Sequence, residues 1–116
     1  MVYGYKFDIP KEFLILLNNL YEVEKKLTMH SDSGNINRNI EKMKDALAEL
    51  GFFYEDPMGQ TYKETRTDLD ASISGSSTEC LIVVEVIKPI VRYGDANFTR
   101  VVQKGIVVVE SKEGKM

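Results

Sequence analysis

Two different spacings of apolar residues divide this chain near residue 51. Between residues 11 and 50 apolar side chains recur every three or four positions, whereas from residue 52 onward they alternate with polar ones. The first spacing predicts amphipathic helices and the second predicts half-buried strands. We therefore predict an α+β fold in two parts. A helical hairpin occupies residues 1–51, and a small, mostly antiparallel β domain occupies residues 52–116.

The first predicted helix follows Pro10, a residue preorganised for the first helical position, and runs without glycine or proline to Thr28. Its apolar side chains cover an arc of about 180° when they are placed about 100° apart. An arc this wide needs more than one packing neighbour. The side chains are Phe13, Leu14, Leu16, Leu17, Leu20, Tyr21, Val23 and Leu27.

A polar connection over residues 29–35 leads to a second helix, which Gly51 is placed to close as a C-terminal cap. Its apolar residues Ile36, Ile40, Met43, Leu47 and Leu50 follow a 4-3-4-3 spacing, and such a narrow seam is typical of helix bundles. We therefore predict a homodimer in which two hairpins form a four-helix bundle. The alternative is that the second half of the chain covers the wide face of the first helix. The predicted dimer interface consists of Leu16, Leu20, Leu27, Ile36, Ile40, Met43 and Leu47.

The β half contains one dominant strand signal, the run LIVVEVIK at residues 81–88. Pro89 has no N–H to donate, so the strand must end, bulge or lie at a sheet edge there. A short strand is predicted near residue 52, an alternating strand within residues 67–75, and a final strand or strand pair over residues 98–111. The final segment is interrupted by Gln-Lys-Gly, which indicates a bulge or a weak point.

Composition limits the classes of function. The chain has 116 residues, a net charge of −3 and a pI of 5.2, and it has no cluster of lysines and arginines, so we expect no nucleic-acid partner. A single cysteine excludes an internal disulfide. The start of the chain does not resemble a signal peptide, and no apolar run is long enough to span a bilayer. We therefore expect a cytoplasmic protein without a membrane partner.

Residues that could carry chemistry are few. His30 is the only histidine, and a nucleophilic site would have to combine it with Ser31 or Cys80, although a solvated loop histidine is the simpler interpretation. Asp68 and Asp70 could hold a hard cation, but we favour a solvent-facing strand side for both. Cys80 is expected to be a small buried side chain. The sequence thus predicts no catalytic residue, no metal site and no cofactor.

Four basic residues of the β half stand beside large apolar ones, namely Lys88, Arg92, Arg100 and Lys104. If neighbouring strands present them together, they form a positive, partly apolar surface that suits protein recognition. Ordinary edge-strand charges, which discourage aggregation, are the alternative.

The order of elements resembles GrpE, the nucleotide exchange factor of DnaK-type chaperones, over residues 11–111. Leu16–Leu27 (LLNNLYEVEKKL) is similar to a helix of that family, and Ile36–Gly51 (INRNIEKMKDALAELG) is similar to its second short helix with the closing glycine. Asp56-Pro57 matches the family's D-P pair. The segment from Lys88 to Glu110 resembles its closing hairpin, K-G-Y-x-L followed by R-x-x-R-x-A-x-V-x-V.

Within the hairpin, Lys88, Arg100 and the pair Val107 and Val109 match the family pattern. The family's glycine, aromatic residue, second arginine and alanine are replaced by Pro89, Ile90, Gln103 and Gly105, and its usual histidine by Gln60. The chain resembles a short form that lacks the family's long N-terminal helix.

The resemblance implies a co-chaperone rather than an enzyme. Its β domain would bind the nucleotide-binding domain of a DnaK-type chaperone and hold the cleft open so that ADP leaves. The resemblance places the partner-binding residues at Lys88, Pro89, Arg92, Arg100 and Gln103. The alternative is a small acidic dimeric module, similar to secretion chaperones, that binds an unfolded client segment without exchange activity.

Overall fold

The computed structural model describes residues 9–29 and 35–112, and in these ranges two helices precede six strands. The predicted α+β class and the order of its two parts are confirmed. No helix within these ranges is long and apolar enough to cross a bilayer. The elements are α1 (Lys11–Met29), α2 (Asn35–Glu49), β1 (Phe52–Glu55), β2 (Leu69–Ser74), β3 (Leu81–Lys88), β4 (Ile90–Gly94), β5 (Thr99–Gln103) and β6 (Gly105–Ser111).

The ends of the helices follow the sequence signals. The Pro10 carbonyl accepts the Phe13 N–H at 3.0 Å and begins α1. Beyond α2, the Gly51 N–H donates to the Ala48 carbonyl at 2.9 Å, and Gly51 has a φ of +94°, a conformation that other residues adopt at a cost. The predicted cap is therefore confirmed. The Gly51 carbonyl in turn accepts the Gly94 N–H at 2.9 Å, which ties the end of the helical part to β4.

The six strands form two sheets of three strands each. The first sheet has the order β1-β4-β5 and is antiparallel throughout. The second sheet has the order β2-β6-β3, in which β3 is antiparallel to β6 and β2 is parallel to it. The β half is thus mostly antiparallel, as predicted. The parallel pair is possible because the long connection through β3, β4 and β5 returns the chain in the direction of β2.

One long hairpin passes through both sheets. Pro89 separates β3 from β4, and Lys104 separates β5 from β6, while β3 pairs with β6 and β4 pairs with β5. Both strands of the hairpin therefore leave one sheet and enter the other at the same level. The Gln-Lys-Gly interruption is the counterpart of Pro89 on the returning strand.

Side chains at this bend hold the two sheets in place. The Gln103 amide donates to the Pro89 carbonyl at 3.0 Å and to the Asn18 side-chain oxygen at 2.9 Å, and Asn18 donates back to Gln103 at 3.1 Å. Gly105 is buried, and a Cβ placed there would lie 2.9 Å from Leu69 Cδ2 and 3.0 Å from Ile90 Cγ1. The Gln-Lys-Gly interruption therefore requires a polar side chain at Gln103 and a small residue at Gly105.

Helix α1 completes the cores of both sheets. Tyr21 belongs to the core cluster of the second sheet, which includes Val83, Val107 and Val109. Leu17 joins the smaller cluster of the first sheet with Phe52 and Val91, and Phe13 stacks on Phe52 at a centroid distance of 4.6 Å. One side of the wide apolar arc of α1 is thus covered by the chain's own sheets.

We expect Gly105→Val to lower the free energy of unfolding by about 1 to 3 kcal/mol, because the added atoms overlap Leu69 and Ile90 in a packed core. Urea denaturation followed by circular dichroism measures the change. Lys104→Ala is the control, since Lys104 is exposed and its nearest carboxylate, on Asp70, is 3.7 Å away. Equal stability of Gly105→Val and the wild type would contradict the packing described at the bend.

Candidate functional site

Arg92 lies in an ion-pair network inside the chain. Its Nε donates to Glu55 Oε1 at 2.9 Å and its Nη2 donates to Asp68 Oδ2 at 3.1 Å. Asp68 also receives two hydrogen bonds from Arg66, at 2.9 and 3.0 Å. The network connects β1 and β4 of the first sheet to the residue that precedes β2. The guanidinium of Arg92, predicted to contact a partner, therefore serves to join the sheets.

Asp68 does not face solvent as predicted, because both of its carboxylate oxygens accept hydrogen bonds from arginines. The hydrogen bonds from Arg66 hold the pKa of Asp68 below its ordinary value of 3.8. Asp70 is exposed and lies 3.7 Å from Lys104. These carboxylates thus contact cationic side chains, and within residues 9–29 and 35–112 no group of three or more acidic, histidine or cysteine side chains is arranged to hold a metal ion.

Two further residues predicted to contact the partner, Pro89 and Gln103, instead pack within the chain. Pro89 is fully buried, and a side chain with no exposed surface cannot reach a partner. Gln103 is half-buried, and its amide is bonded to Asn18 and to the Pro89 carbonyl. Both residues shape the bend and do not form an open surface.

Lys88 and Arg100 remain exposed, but they lie in different sheets. Lys88 is opposite Ile106, which is opposite Asp70 on the other side, so the three form a row across the second sheet. Arg100 is opposite Tyr93 in the first sheet. Neither cation has a hydrogen bond or ion pair with another described residue. The predicted basic surface is therefore divided between two faces of the β half.

Arg100 lies at what we call the tip surface, formed by Leu50, Phe53, Phe98 and Arg100 around an opening of about 600 Å³. Phe98 is 70 % exposed and Leu50 is 61 % exposed. The turn that presents Phe98 is ordered by Asp95, whose Oδ1 accepts the N–H groups of Asn97 and Phe98 at 2.9 and 3.1 Å. Exposed aromatic residues beside an arginine are typical of protein interfaces.

A second surface, the helix groove, lies between α1 and α2. It encloses about 440 Å³ and is lined by Leu16, Asn19, Leu20, Val23, Met43, Ala46 and Leu47. Four predicted dimer residues, Leu16, Leu20, Met43 and Leu47, meet here. Ile40, predicted to face a second chain, is instead 2 % exposed and packs within its own. Ile36 is exposed and Leu27 is half-buried, both outside the lining of the groove.

A third surface, the helix–strand cleft, is a depression of about 740 Å³ between α1, β1 and the edge of β3. In it the Tyr54 hydroxyl donates to Glu24 Oε1 at 2.8 Å, and Lys44 Nζ lies 3.2 Å from Glu24 Oε2. The Lys44 ammonium also lies 5.1 Å from the Tyr54 ring centroid, within the range of a cation–π contact. These contacts connect α1, α2 and β1.

Both tyrosines of the cleft have raised pKa values. Burial, the Asp56 and Glu22 carboxylates and a hydrogen bond to Asp56 raise the pKa of Tyr21 to about 12. Burial and the hydrogen bond to Glu24 raise the pKa of Tyr54 as well. A catalytic base or nucleophile needs a pKa near neutrality, so these tyrosines act as protonated donors that brace the cleft.

The remaining candidates do not form a nucleophilic site in the described ranges. His30 and Ser31 lie outside the residues that the structure describes. Cys80 was predicted to be buried, and this is wrong, because it is exposed with a φ of +55° in the turn before β3. The buried face of this strand begins one residue later, at Leu81.

Neither the cleft nor the tip surface could be predicted from the sequence. Glu24 and Lys25 belong to a mixed-charge run that is typical of a solvated helix face. Nothing in that run indicates that Glu24 accepts a hydrogen bond from Tyr54, thirty residues away. The exposure of Phe98 depends on the conformation of the turn before β5. The alternation of apolar and polar residues does not predict that conformation.

No protein-family model matches this chain, and it has no match among the curated proteins or the solved structures. The three surfaces and the residues that resemble a family are therefore the features from which a function can be inferred.

We expect Asp68→Asn to lower the free energy of unfolding at pH 7 by about 1 to 3 kcal/mol, since charged hydrogen bonds are lost. The pKa of Asp68 is lowered in the folded state, so its contribution is fully present above the unfolded value of 3.8 and is lost as the pH falls through the lower folded value. The difference between variant and wild type should shrink below about pH 4. Denaturant titrations at pH 7, 5, 4 and 3 measure it.

Asp70→Asn is the matched control, because Asp70 is exposed and close only to the exposed Lys104. It should change stability by less than about 0.5 kcal/mol at each pH. A stability loss for Asp68→Asn that is the same at pH 3 and pH 7 would contradict the role of the charged network.

Proposed function

We propose that this protein is a GrpE-like co-chaperone, which binds the nucleotide-binding domain of a DnaK-type chaperone as a dimer and promotes ADP release. One observation carries the proposal. Four residues that match the family pattern occupy positions at which the fold restricts the choice of side chain. Gly51 caps α2, Pro57 is fully buried in the turn after β1, and Val107 and Val109 are core residues of β6. Gly105 takes the family's small position at the bend.

Two exposed faces of the β half are the proposed contacts with the chaperone. The open face of the second sheet presents Lys88 beside Ile106, which is 36 % exposed. The tip surface presents Arg100 among exposed apolar side chains. Pro89, Arg92 and Gln103 contribute indirectly, because they fix the bend from which the two faces diverge.

The proposed mechanism is differential binding. A protein that binds the open form of the chaperone's nucleotide-binding domain more tightly than the closed form shifts the population toward the open form. ADP affinity falls by the ratio of the two affinities, and ADP must weaken the binding of this protein by the same factor. Such couplings typically amount to about 1 to 3 kcal/mol, or 5- to 150-fold in affinity. No residue of this chain needs to touch the nucleotide.

The helix groove is the proposed dimer interface. Its lining contains no charged residue, and Leu16 and Met43 are 58 % and 49 % exposed. A second copy with the same groove can cover these side chains through an isologous contact, in which two hairpins form a four-helix bundle. This arrangement uses the outer side of α1, while the inner side packs on the sheets.

Leu16→Glu should shift the protein from dimer to monomer, because it places a charge in the proposed interface. Sedimentation velocity over 1 to 100 μM measures the change, with an expected weakening of about 2 kcal/mol or more. Ile15→Glu is the control, since Ile15 is similarly exposed on the same helix but does not line the groove. A wild-type protein that stays monomeric over this range would contradict the dimer.

The exchange activity is tested by release of a fluorescent ADP analogue from a DnaK-type chaperone of the same cell. The wild-type protein should accelerate release, and Arg100→Glu should reduce the acceleration by about five- to thirtyfold at subsaturating concentration, as expected for loss of one interface contact of about 1 to 2 kcal/mol. Arg38→Glu on α2 is the control, because Arg38 is also exposed and does not line the tip surface.

Absence of acceleration with every DnaK-type chaperone of that cell would reject the proposal. Binding to an unfolded client segment, with no acceleration, would instead support the dimeric protein-binding module.

A further inference from the structure

The outer edge of β3 is paired along only part of its length. β3 lies at the edge of the second sheet, and the segment over residues 59–62 bonds to the start of that edge. The Gly59 N–H donates to the Val83 carbonyl at 3.0 Å, the Val83 N–H donates to the Gln60 carbonyl at 2.9 Å, and the Tyr62 N–H donates to the Leu81 carbonyl at 2.9 Å. Past Val83, no main-chain group of the described residues bonds to this edge.

The next outward-facing carbonyl of β3 is held only by a side chain. Lys25 Nζ lies 3.4 Å from the Val86 carbonyl oxygen, which is long for a hydrogen bond. The same ammonium lies 5.6 Å from the Tyr21 ring centroid. A lysine has a flexible stem and can turn toward solvent. The carbonyl can therefore accept a different donor without any change in the fold.

The helix–strand cleft lies directly beside this edge. Val84, Glu85 and Val86 of β3 line the cleft, and so does Tyr21, which is only 4 % exposed. At the rim, Met29 is 71 % exposed and Met58 is 55 % exposed. Methionine adapts to varied apolar side chains and is frequent at surfaces that bind many sequences. The volume of about 740 Å³ is typical of clefts that take a ligand of several residues or a small molecule.

The charges of the cleft favour a basic ligand. Glu24 is bonded to Tyr54 and Lys44, and Asp56 accepts the Met58 N–H at 3.1 Å. The side chain of Glu85, in contrast, is exposed and has no hydrogen bond or ion pair with any described residue. Displacement of Lys25 from the cleft would leave a further excess of negative charge there.

We propose that the helix–strand cleft binds an extended segment of a partner polypeptide, which adds as a strand to the outer edge of β3 beyond Val83. A main-chain N–H of the segment replaces Lys25 at the Val86 carbonyl. The segment carries alternating apolar residues, which contact the two exposed methionines, and a lysine or arginine that pairs with Glu85. Strand addition of this kind takes its affinity from main-chain hydrogen bonds and its specificity from alternate side chains. The site lies apart from the tip surface, whereas Lys88 of the proposed exchange contact is on the same strand, two residues beyond Val86.

The simpler role for Lys25 is protection of the edge. Lysines and bulges on an edge strand discourage pairing with other chains, and β3 has register irregularities at Val83/Glu85 and at Val86/Lys88. The two roles of Lys25 make different predictions. If Lys25 only protects the edge, β3 of the folded protein binds no added strand.

The probe is a fluorescein-labelled peptide, Ser-Val-Thr-Val-Lys-Val-Thr-Val-Ser, titrated with the full chain by fluorescence anisotropy. Two matched peptides carry N-methyl groups on alternate main-chain nitrogens, or glutamate in place of lysine. We expect binding of the first peptide, at least tenfold weaker binding of the N-methylated one, and about three- to tenfold weaker binding of the glutamate one, as for loss of a partly exposed ion pair.

Two protein variants complete the test. Glu85→Gln should abolish the preference for lysine over glutamate. Lys25→Met should bind the first peptide severalfold more tightly, because the Val86 carbonyl is then open, whereas Lys42→Met on α2 should bind as the wild type does.

Equal binding of the first and N-methylated peptides would overturn the proposal, because main-chain pairing would then contribute nothing. So would the absence of binding to Lys25→Met at millimolar concentration, which would leave edge protection as the role of Lys25. If peptide binding decreases as the protein concentration is raised, a second copy of the chain occupies the edge. This outcome would also reject a separate partner.

Discussion

The long hairpin of this protein can belong to two sheets only because both of its strands bend at the same level. Pro89 interrupts one strand since it has no N–H for the ladder. On the other strand, the Gln103 amide bonds to the carbonyl that Pro89 presents, and Gly105 leaves room for Leu69 and Ile90. A larger residue at position 105 would push the sheets apart. The positions of every exposed face of the β half follow from this bend.

The helical part is attached to the bend and does not stand apart from it. Asn18 of α1 exchanges hydrogen bonds with Gln103, and Leu17 and Tyr21 complete the two cores. One side of α1 is consequently committed to the sheets, while the other side forms the helix groove with α2. The orientation of the groove relative to the sheet faces is thereby fixed, which matters if two chains must present their β halves to a partner.

The exposed surfaces share a chemistry that suits polypeptide partners. The tip surface combines aromatic residues with an arginine, the helix groove is apolar, and the helix–strand cleft lies beside an unpaired strand edge. The tyrosines of the cleft hold their protons more firmly than usual, which is the opposite of activation. The proposed binding activity would use these surfaces.

The sequence by itself determined the two helices, most of the strand segments to within a few residues, the Gly51 cap and the break at Pro89. These follow from local causes, namely the spacing of apolar side chains and the dihedral angles that glycine and proline permit. It did not determine the division into two sheets, the parallel pairing of β2 with β6, or the roles of Arg92, Gln103 and Cys80. Those depend on residues far apart in the chain, such as Asn18 and Gln103, which only folding brings together. The sequence around a basic or polar residue is the same whether its side chain contacts a partner or an internal carboxylate. The tertiary structure alone therefore decided which cations are exposed.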